Sequence, residues 1–568
     1  MKHRLVARIG AGILTSFLVT PSIGEERSEE EDQVSPVLRI EPRVERRRRD
    51  RTPDVPSPAA IRSIDGAGNH ETDTEMNAAE TPLLRSVTSD YADGLYEMAG
   101  ADRPSARLVS NRVVDQAESI ATPLGTSDFL WQWGQFLDHD IDLTEGVDPP
   151  EPEPIAVPAG DAWFDPTGEG DVAIAFNRSI YDHTTGADAP RQQLNEITGW
   201  IDASNVYGSD AERARALRTL DGTGRLRTGP GGLLPDDDTD LPNATGGSSQ
   251  TMFLAGDVRA NEQVGLTAMH TLFVREHNRV ADAIRARVPG LGGDQVYELA
   301  RRFVASLMQA ITYREFLPAL LGPDAIAPYR GYDPDVDARI ANVFSTAAYR
   351  FGHSALSPTF ERLDRNLREV PAGPLALRDA FFSPDRIRDE GGIEPLLRGF
   401  AHQRHQRVDV RVVDDLRNFL FGAPGSGGFD LPALNIQRGR DHGLPSYAEV
   451  RVAYGFPPAA DFADVSRDPE VQARLASAYD TVAAIDLWVG GLAEDPVPAG
   501  HLGPLFTRII AEQFEALRDG DRFWYERDLS PVELSEVQRT RLSDVIRRNT
   551  SIGREIADDV FHVGRRRR

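Results

Sequence analysis

Residues 126–143 read TSDFLWQWGQFLDHDIDL, with Phe129, Trp133, Phe136, Leu137 and Ile141 at i, i+4, i+7, i+8 and i+12. That is the 3.6-residue period of a helix with a single buried stripe, and it commits this stretch to a helical core. The same helix carries polar groups where burial is costly. Gln135 and His139 stand four residues apart and share a face, which Asp138, Asp140 and Asp142 bracket. Five polar side chains in eight positions of an apolar helix cost free energy to bury without partners or a task. Residue types alone also fit a solvated face beside a hydrogen-bonded histidine.

The period recurs downstream. Leu266, Met269, Phe273, Val280 and Ile284 mark a second helix, and residues 297–319 and 503–517 follow the same pattern. Alternating strands are scarce, no internal repeat occurs, and long Gly/Pro/Asp segments (146–168, 220–250) lie between the helices. The expectation is a mainly α fold: one large helical domain over residues 76–568, with long surface loops and little β.

The N-terminal part reads differently. Lys2, His3, Arg4 and Arg8 precede the apolar stretch Ile9–Thr20, with Ser22 and Gly24 at the −3 and −1 positions of a cleavage site. Residues 1–24 are therefore expected to be a signal peptide, too short to span a bilayer, and the protein secreted, extracellular or periplasmic. Residues 25–75 are rich in Glu, Arg, Pro and Ser and lack apolar periodicity, which predicts a disordered charged linker. The Arg46–Arg49 and Arg565–Arg568 runs read as solvated charge.

Composition narrows the chemistry. With 63 basic against 89 acidic residues, the net charge is −26. Such a surface repels phosphate backbones and anionic lipid, so nucleic acid and membrane surfaces are poor partners. There is no cysteine, which excludes disulfides, thiolate haem ligation, iron–sulfur clusters and zinc–thiolate sites. Any metal must take His nitrogen or oxygen ligands.

Five segments in order then carry a resemblance. WGQFLDHDIDLT, TGWIDASNVYGS (198–209), DVRANEQVGLTAMHTLFVREHNR (257–279), AAYRFGHSAL (347–356) and LNIQRGRDHGLPSY (434–447) closely resemble the animal haem peroxidases, over about residues 80–555. The resemblance implies an enzyme that uses H2O2 to oxidise halide, thiocyanate or phenolic donors through an oxoferryl intermediate on haem b. His139 matches the distal acid/base, Arg259 the distal arginine and Gln135 the glutamine that orients water or halide. An imidazole suits proton transfer near neutrality, and a fixed guanidinium suits developing negative charge. His353 matches the proximal iron ligand, Asn435 the acceptor of its N–H, and Arg350 and Arg438 partners of the haem propionates.

Asp138 and Glu262 match carboxylates that form ester links to haem. Gln263 stands where myeloperoxidase has a methionine, which excludes a sulfonium link. Asp140, Thr198, Trp200 (through its carbonyl), Asp202 and Ser204 resemble the family's calcium site, an oxygen set suited to a hard cation. Fatty-acid dioxygenases share the fold, but place a tyrosine where this chain has Arg350. Tyr349 lies one residue earlier, turned by ~100° on a helix. An adhesion or matrix protein is the third reading, without an adhesion motif to support it. Of the other histidines, His270 and His277 read as hydrogen-bonding residues at the core edge. His402 and His405 read as a surface-helix pair, and His442 as structural.

Overall fold

The apolar stripe of 126–143 folds as helix α1, Phe129–Ile141, and its five apolar positions are buried completely. The computed structural model describes residues 61–244 and 251–564. The expected signal peptide, the linker as far as residue 60 and both arginine runs lie outside the described residues.

The other periodic segments also form helices. Helix α2 is Val264–Arg287, opened by Gln263, whose side chain accepts from the Gly265 N–H. Helix α3, Gly293–Ile311, packs along α2 and runs through a π-turn (Thr312–Phe316) into a short helix, Leu317–Leu321. Helix α4, Leu431–Asp441, starts at Asp430, whose side chain caps Ala433 N–H, with Pro432 in the first turn. Helix α5 is Pro504–Asp519. Burying each large apolar side chain of these stripes stabilises the fold by roughly 1.5–3 kcal/mol, and one continuous core joins α1 to α5.

Strands among the described residues are two-residue pairs only. Thr81–Pro82 runs antiparallel to Leu194–Asn195, Asp115–Gln116 parallel to Val412–Val413, Ile155–Ala156 antiparallel to Ala173–Ile174, and Thr359–Phe360 antiparallel to Leu375–Ala376. The fold is the expected one, mainly α with long loops. No helix among the described residues is long and apolar enough to cross a membrane.

The linker boundary differs from the sequence expectation. Residues 61–75 belong to the packed body: Arg62 pairs with buried Asp521 at 2.9 Å, and Asn69 and His70 are each 1% exposed. Polar composition hid this, because the segment is held by hydrogen bonds and an ion pair rather than by an apolar stripe.

Candidate active site

Helix α1 turns Trp131, Gln135, Asp138 and His139 onto one cavity. Arg259, Glu262 and Gln263 reach it from the turn that leads into α2, while Tyr349, Arg350 and His353 come from two short helical turns, Ala348–Phe351 and Gly352–Ala355. Phe381, Leu416, Leu420 and Phe421 give it an apolar side.

On the α1 side, His139 is 2% exposed and its Nδ1 lies 3.4 Å from Asp257 Oδ1. Burial and the neighbouring Arg259 hold its pKa well below the usual imidazole range, so the ring is neutral at pH 7. Asp257 grips Arg259 as a fork, Oδ1 accepting from Nε at 2.9 Å and Oδ2 from Nη2 at 2.8 Å. Burial opposes the Asp257 charge, but the guanidinium outweighs it and keeps the carboxylate ionised. The third arginine nitrogen, Nη1, stands 3.5 Å from Asp138 Oδ2.

Carboxamides line the same wall. Gln135 Nε2 donates to Glu262 Oε1 at 3.2 Å, and Gln263 Nε2 donates to Gln132 Oε1 at 2.9 Å and Gln135 Oε1 at 3.2 Å. Burial pushes Asp138 and Glu262 up to about 7 each, so both stand between acid and carboxylate near neutrality.

Across the cavity, burial and Arg350 lower His353 to about 3, leaving a neutral ring with nitrogen available to a metal. Its Nδ1 is 2.8 Å from Asn435 on α4. The pairing is the expected one, but the atom is not. Asn435 turns its amide nitrogen to the ring, and its Oδ1 accepts from Arg350 Nη1 at 3.4 Å. A half-turn of the carboxamide exchanges the two atoms without other movement. Arg438 departs further. It does not line the cavity, and its Nη1 donates to Asn177 O, Ser179 Oγ and Asp441 Oδ2 at 2.8–3.0 Å. The strong buried acceptors of its own helix end and of residues 177–179 outcompete the cavity for it.

Behind α1, the remaining predicted residues converge. Ser204 Oγ donates to Asp140 O at 2.8 Å, Thr198 Oγ1 donates to Asp202 Oδ2 at 3.1 Å, and Ala203 N–H donates to Asp140 Oδ2 at 3.2 Å. Ala203 adopts φ 66°, the left-handed turn that folds residues 202 and 204 back onto Asp140. All five, Trp200 included, are 5% exposed or less. Burial and Asp202 raise Asp140 well above the carboxylate range, and burial raises Asp202 to about 6. Two buried carboxylates opposing each other are costly, and a hard cation among these oxygens would reverse that cost. No group of three His, Asp or Glu side chains converges among the described residues, so hydroxyls and carbonyls would have to complete the shell.

The other histidines sort themselves by hydrogen bonds. His277 lies between Tyr207 OH and Gly224 O, and His442 among Thr346, Asn342 and Ser179. His270 is deeper than expected, with its ring centroid 6.3 Å from that of His139. His405 is not on a surface helix: the helix ends at His402, and His405 is buried against Thr126 and His501. Sequence reasoning missed Asp257, Gln132 and the cavity position of Tyr349. The one available signal was the Asp-x-Arg spacing, which lets Asp257 Oδ1 accept Arg259 N–H at 2.8 Å as a local turn.

Residues 61–561 match the family model described as animal haem peroxidase. The chain belongs to the animal haem peroxidase family. Among curated members, thyroid peroxidase of Sus scrofa is 37% identical, the match covering 89% of this chain and 60% of that protein. The peroxidasin homolog of Mus musculus is 37% identical over 88% of this chain but 37% of its own length. The chain thus spans less than two thirds of the length of these two relatives. Peroxinectin A of Dictyostelium discoideum is 34% identical over 88% of this chain and 95% of its own. Among solved structures, peroxidase A of Dictyostelium discoideum superposes with a TM-score of 0.82 at 33% identity, over 88% of this chain and 99% of its own. A fatty acid alpha-dioxygenase of Arabidopsis thaliana reaches a TM-score of 0.75 at 21% identity over 89% of this chain and 83% of its own, a likeness of fold alone.

Proposed function

We propose that this chain is a haem-dependent peroxidase that reduces hydrogen peroxide and oxidises a small donor. The observation that carries the reading is one cavity lined by neutral His353 together with His139, Arg259 and Gln135. The residues fit haem. Among the described residues nothing bonds His353 Nε2 and Nδ1 is braced by Asn435, so His353 would hold the iron, and a chain without cysteine could not hold it by thiolate. Arg350, a cavity cation besides Arg259, would pair with a propionate, and Asp138 and Glu262 would be the carboxyls for ester links. Bound there, haem supplies the electrons for O–O cleavage.

The protein's own groups handle protons and charge. His139 Nε2 takes a peroxide proton and returns it to the departing oxygen. Arg259 Nη1, the guanidinium nitrogen outside the Asp257 fork, stabilises the negative charge that grows there. Gln135 orients water or halide beside it. Calcium on Asp140, Thr198, Trp200, Asp202 and Ser204 would brace the residue next to His139. We assign halide, thiocyanate and phenols as the donor class, and export from the Lys2–Gly24 pattern, which N-terminal sequencing of the mature protein tests.

The deciding experiment is a visible spectrum of purified protein with added haem, then peroxide with iodide, bromide or guaiacol. A Soret band that His353→Ala abolishes, and donor oxidation that His139→Gln suppresses about 100-fold or more, are expected. No Soret band after haem supplementation overturns the reading. Tyr349, in the cavity wall with a buried hydroxyl that lacks a partner, favours the dioxygenase as second reading. Oxygen uptake with linoleate and no peroxide turnover would select it.

A further inference from the structure

Two groups of the cavity meet on a carboxylate to which the reading above gives no role. Asp257 is 4% exposed, and backbone contacts fix its place first. Gly256 packs flat on residues 205–207, where a Cβ would lie 2.5 Å from the Asn205 carbonyl oxygen. Asp257 N–H donates to that carbonyl at 3.1 Å, and Oδ1 accepts Arg259 N–H at 2.8 Å. The carboxylate therefore arrives pre-aimed at Arg259 Nε and Nη2, and its Oδ1 stands 3.4 Å from His139 Nδ1, which makes no hydrogen bond among the described residues.

The hydrogens follow from acceptor chemistry. A carboxylate only accepts, so the ring nitrogen of His139 that faces it carries the hydrogen. Nε2 is left with its lone pair toward the cavity. His270 also bears on the tautomer: its Nδ1 lies 3.0 Å from the same Asn205 carbonyl, which only accepts, so its hydrogen is there and its Nε2 is a second acceptor, with the two ring centroids 6.3 Å apart. On Arg259, occupation of Nε and Nη2 leaves Nη1 as the nitrogen outside the fork.

We propose that Asp257 is the positioning residue of the peroxide site, one carboxylate setting both the tautomer of His139 and the aim of Arg259. The proposal rests on the peroxidase reading above. Asparagine at 257 keeps the shape but replaces one acceptor by a donor. Oδ1 faces Arg259 N–H, Arg259 Nε and His139 Nδ1 together and Oδ2 faces Nη2, so its NH2 meets an N–H in either orientation; turned toward His139 Nδ1 it moves the ring hydrogen to Nε2, the form that cannot take a proton there.

The test uses the full chain with haem, and cyanide as the probe. HCN must lose its proton to a base in the pocket, so its association rate reads the His139 tautomer without turnover. Asp257→Asn should slow association by about 100-fold while the Soret band and Tm stay near the parent's. Asp257→Glu, which keeps two acceptor oxygens, should recover at least about a tenth of the parent rate. In a His139→Gln background, Asp257→Asn should change the rate less than about twofold, because the base it positions is gone. In 15N spectra of histidine-labelled apoprotein, the His139 pattern should pass from Nδ1–H to Nε2–H in Asp257→Asn.

Cyanide association in Asp257→Asn within about threefold of the parent, or an equal slowing without His139, overturns the proposal. So does an unchanged His139 tautomer, which decides the matter if the variant takes up no haem. A parent chain that takes up no haem refutes the peroxidase reading instead, and the apoprotein spectrum still decides whether Asp257 sets the tautomer.

Discussion

His405 shows how much one buried ring can say about acid stability. It is fully buried, with Nε2 2.6 Å from Thr126 Oγ1 and Nδ1 2.5 Å from Gln406 O, and burial with His501 beside it lowers it to about 3. An unfolded histidine titrates near 6.5, so as pH falls the unfolded chain takes the proton first. The site's contribution is complete above pH 6.5 and is lost as pH falls toward about 3, by up to about 1.4 kcal/mol per pH unit. Urea unfolding of the parent and His405→Gln at pH 7, 5.5 and 4.5 should therefore show the parent's advantage shrinking as pH drops. A constant gap across that range would refute it. At this scale the long, ordered motifs of the sequence singled out His139, His353 and Arg259, which line one cavity. The sequence was blind to Gln132 and to the approach of Asp257 to His139, because those partners are brought together by packing of segments more than a hundred residues apart. It also put Arg438 at the cavity, where competing acceptors on Asp441 and residues 177–179 take the guanidinium.

Helices α1 and α2 meet at the point where a side chain would not fit. A Cβ on Gly265, in the first turn of α2, would collide with Gln132 Oε1 and Phe400. That closeness lets Gln263 bridge Gln132 and Gln135. Gly265→Ala should cost about 1–3 kcal/mol by overpacking, read in urea, and should shift the Soret position of haem-loaded protein as Gln135 is displaced. An unchanged unfolding midpoint would mean that the helices separate freely. The loop of residues 198–204 ties to α1 through Asp140, next to His139. Chelation by EGTA should lower Tm and broaden the Soret band in the parent, and do neither in Asp202→Ala, because the cation that binds only the folded chain stabilises it by mass action. Equal shifts in both would place calcium elsewhere. The helical periods of 126–143, 266–284 and 503–517 were legible because each stripe is buried by a single continuous core. The loop of residues 198–204 was legible only through its motif, since the proposed ligand positions alternate along an irregular turn that has no period to read.

Among the described residues, buried ions help to hold several loops, which is why composition misjudged residues 61–75. Arg107 is the clearest of these. It is fully buried, with Nε and Nη2 on Asp161 at 2.7 and 3.0 Å, Nη1 on Asp430 at 2.6 Å, Nη2 on Asn418 at 2.9 Å, and its guanidinium 4.6 Å over Phe164. One side chain thereby joins the helical turn Ala106–Val109, the loop around residue 161 and the start of α4. Burial opposes its charge, but the two carboxylates outweigh that and raise its pKa. Removing the cation alone would leave Asp161 and Asp430 buried without it, a loss of about 3–5 kcal/mol. Asp430 caps α4 and α4 carries Asn435, so the damage should travel to His353. Arg107→Met is therefore expected to lower the unfolding free energy read in urea by that amount and to weaken haem uptake as well, although residue 107 is not part of the cavity wall. If the variant lost stability while haem affinity stayed within about twofold, α4 would be shown to hold Asn435 without its cap. If it lost less than about 1 kcal/mol, the ion cluster would be no more than a solvated surface pair.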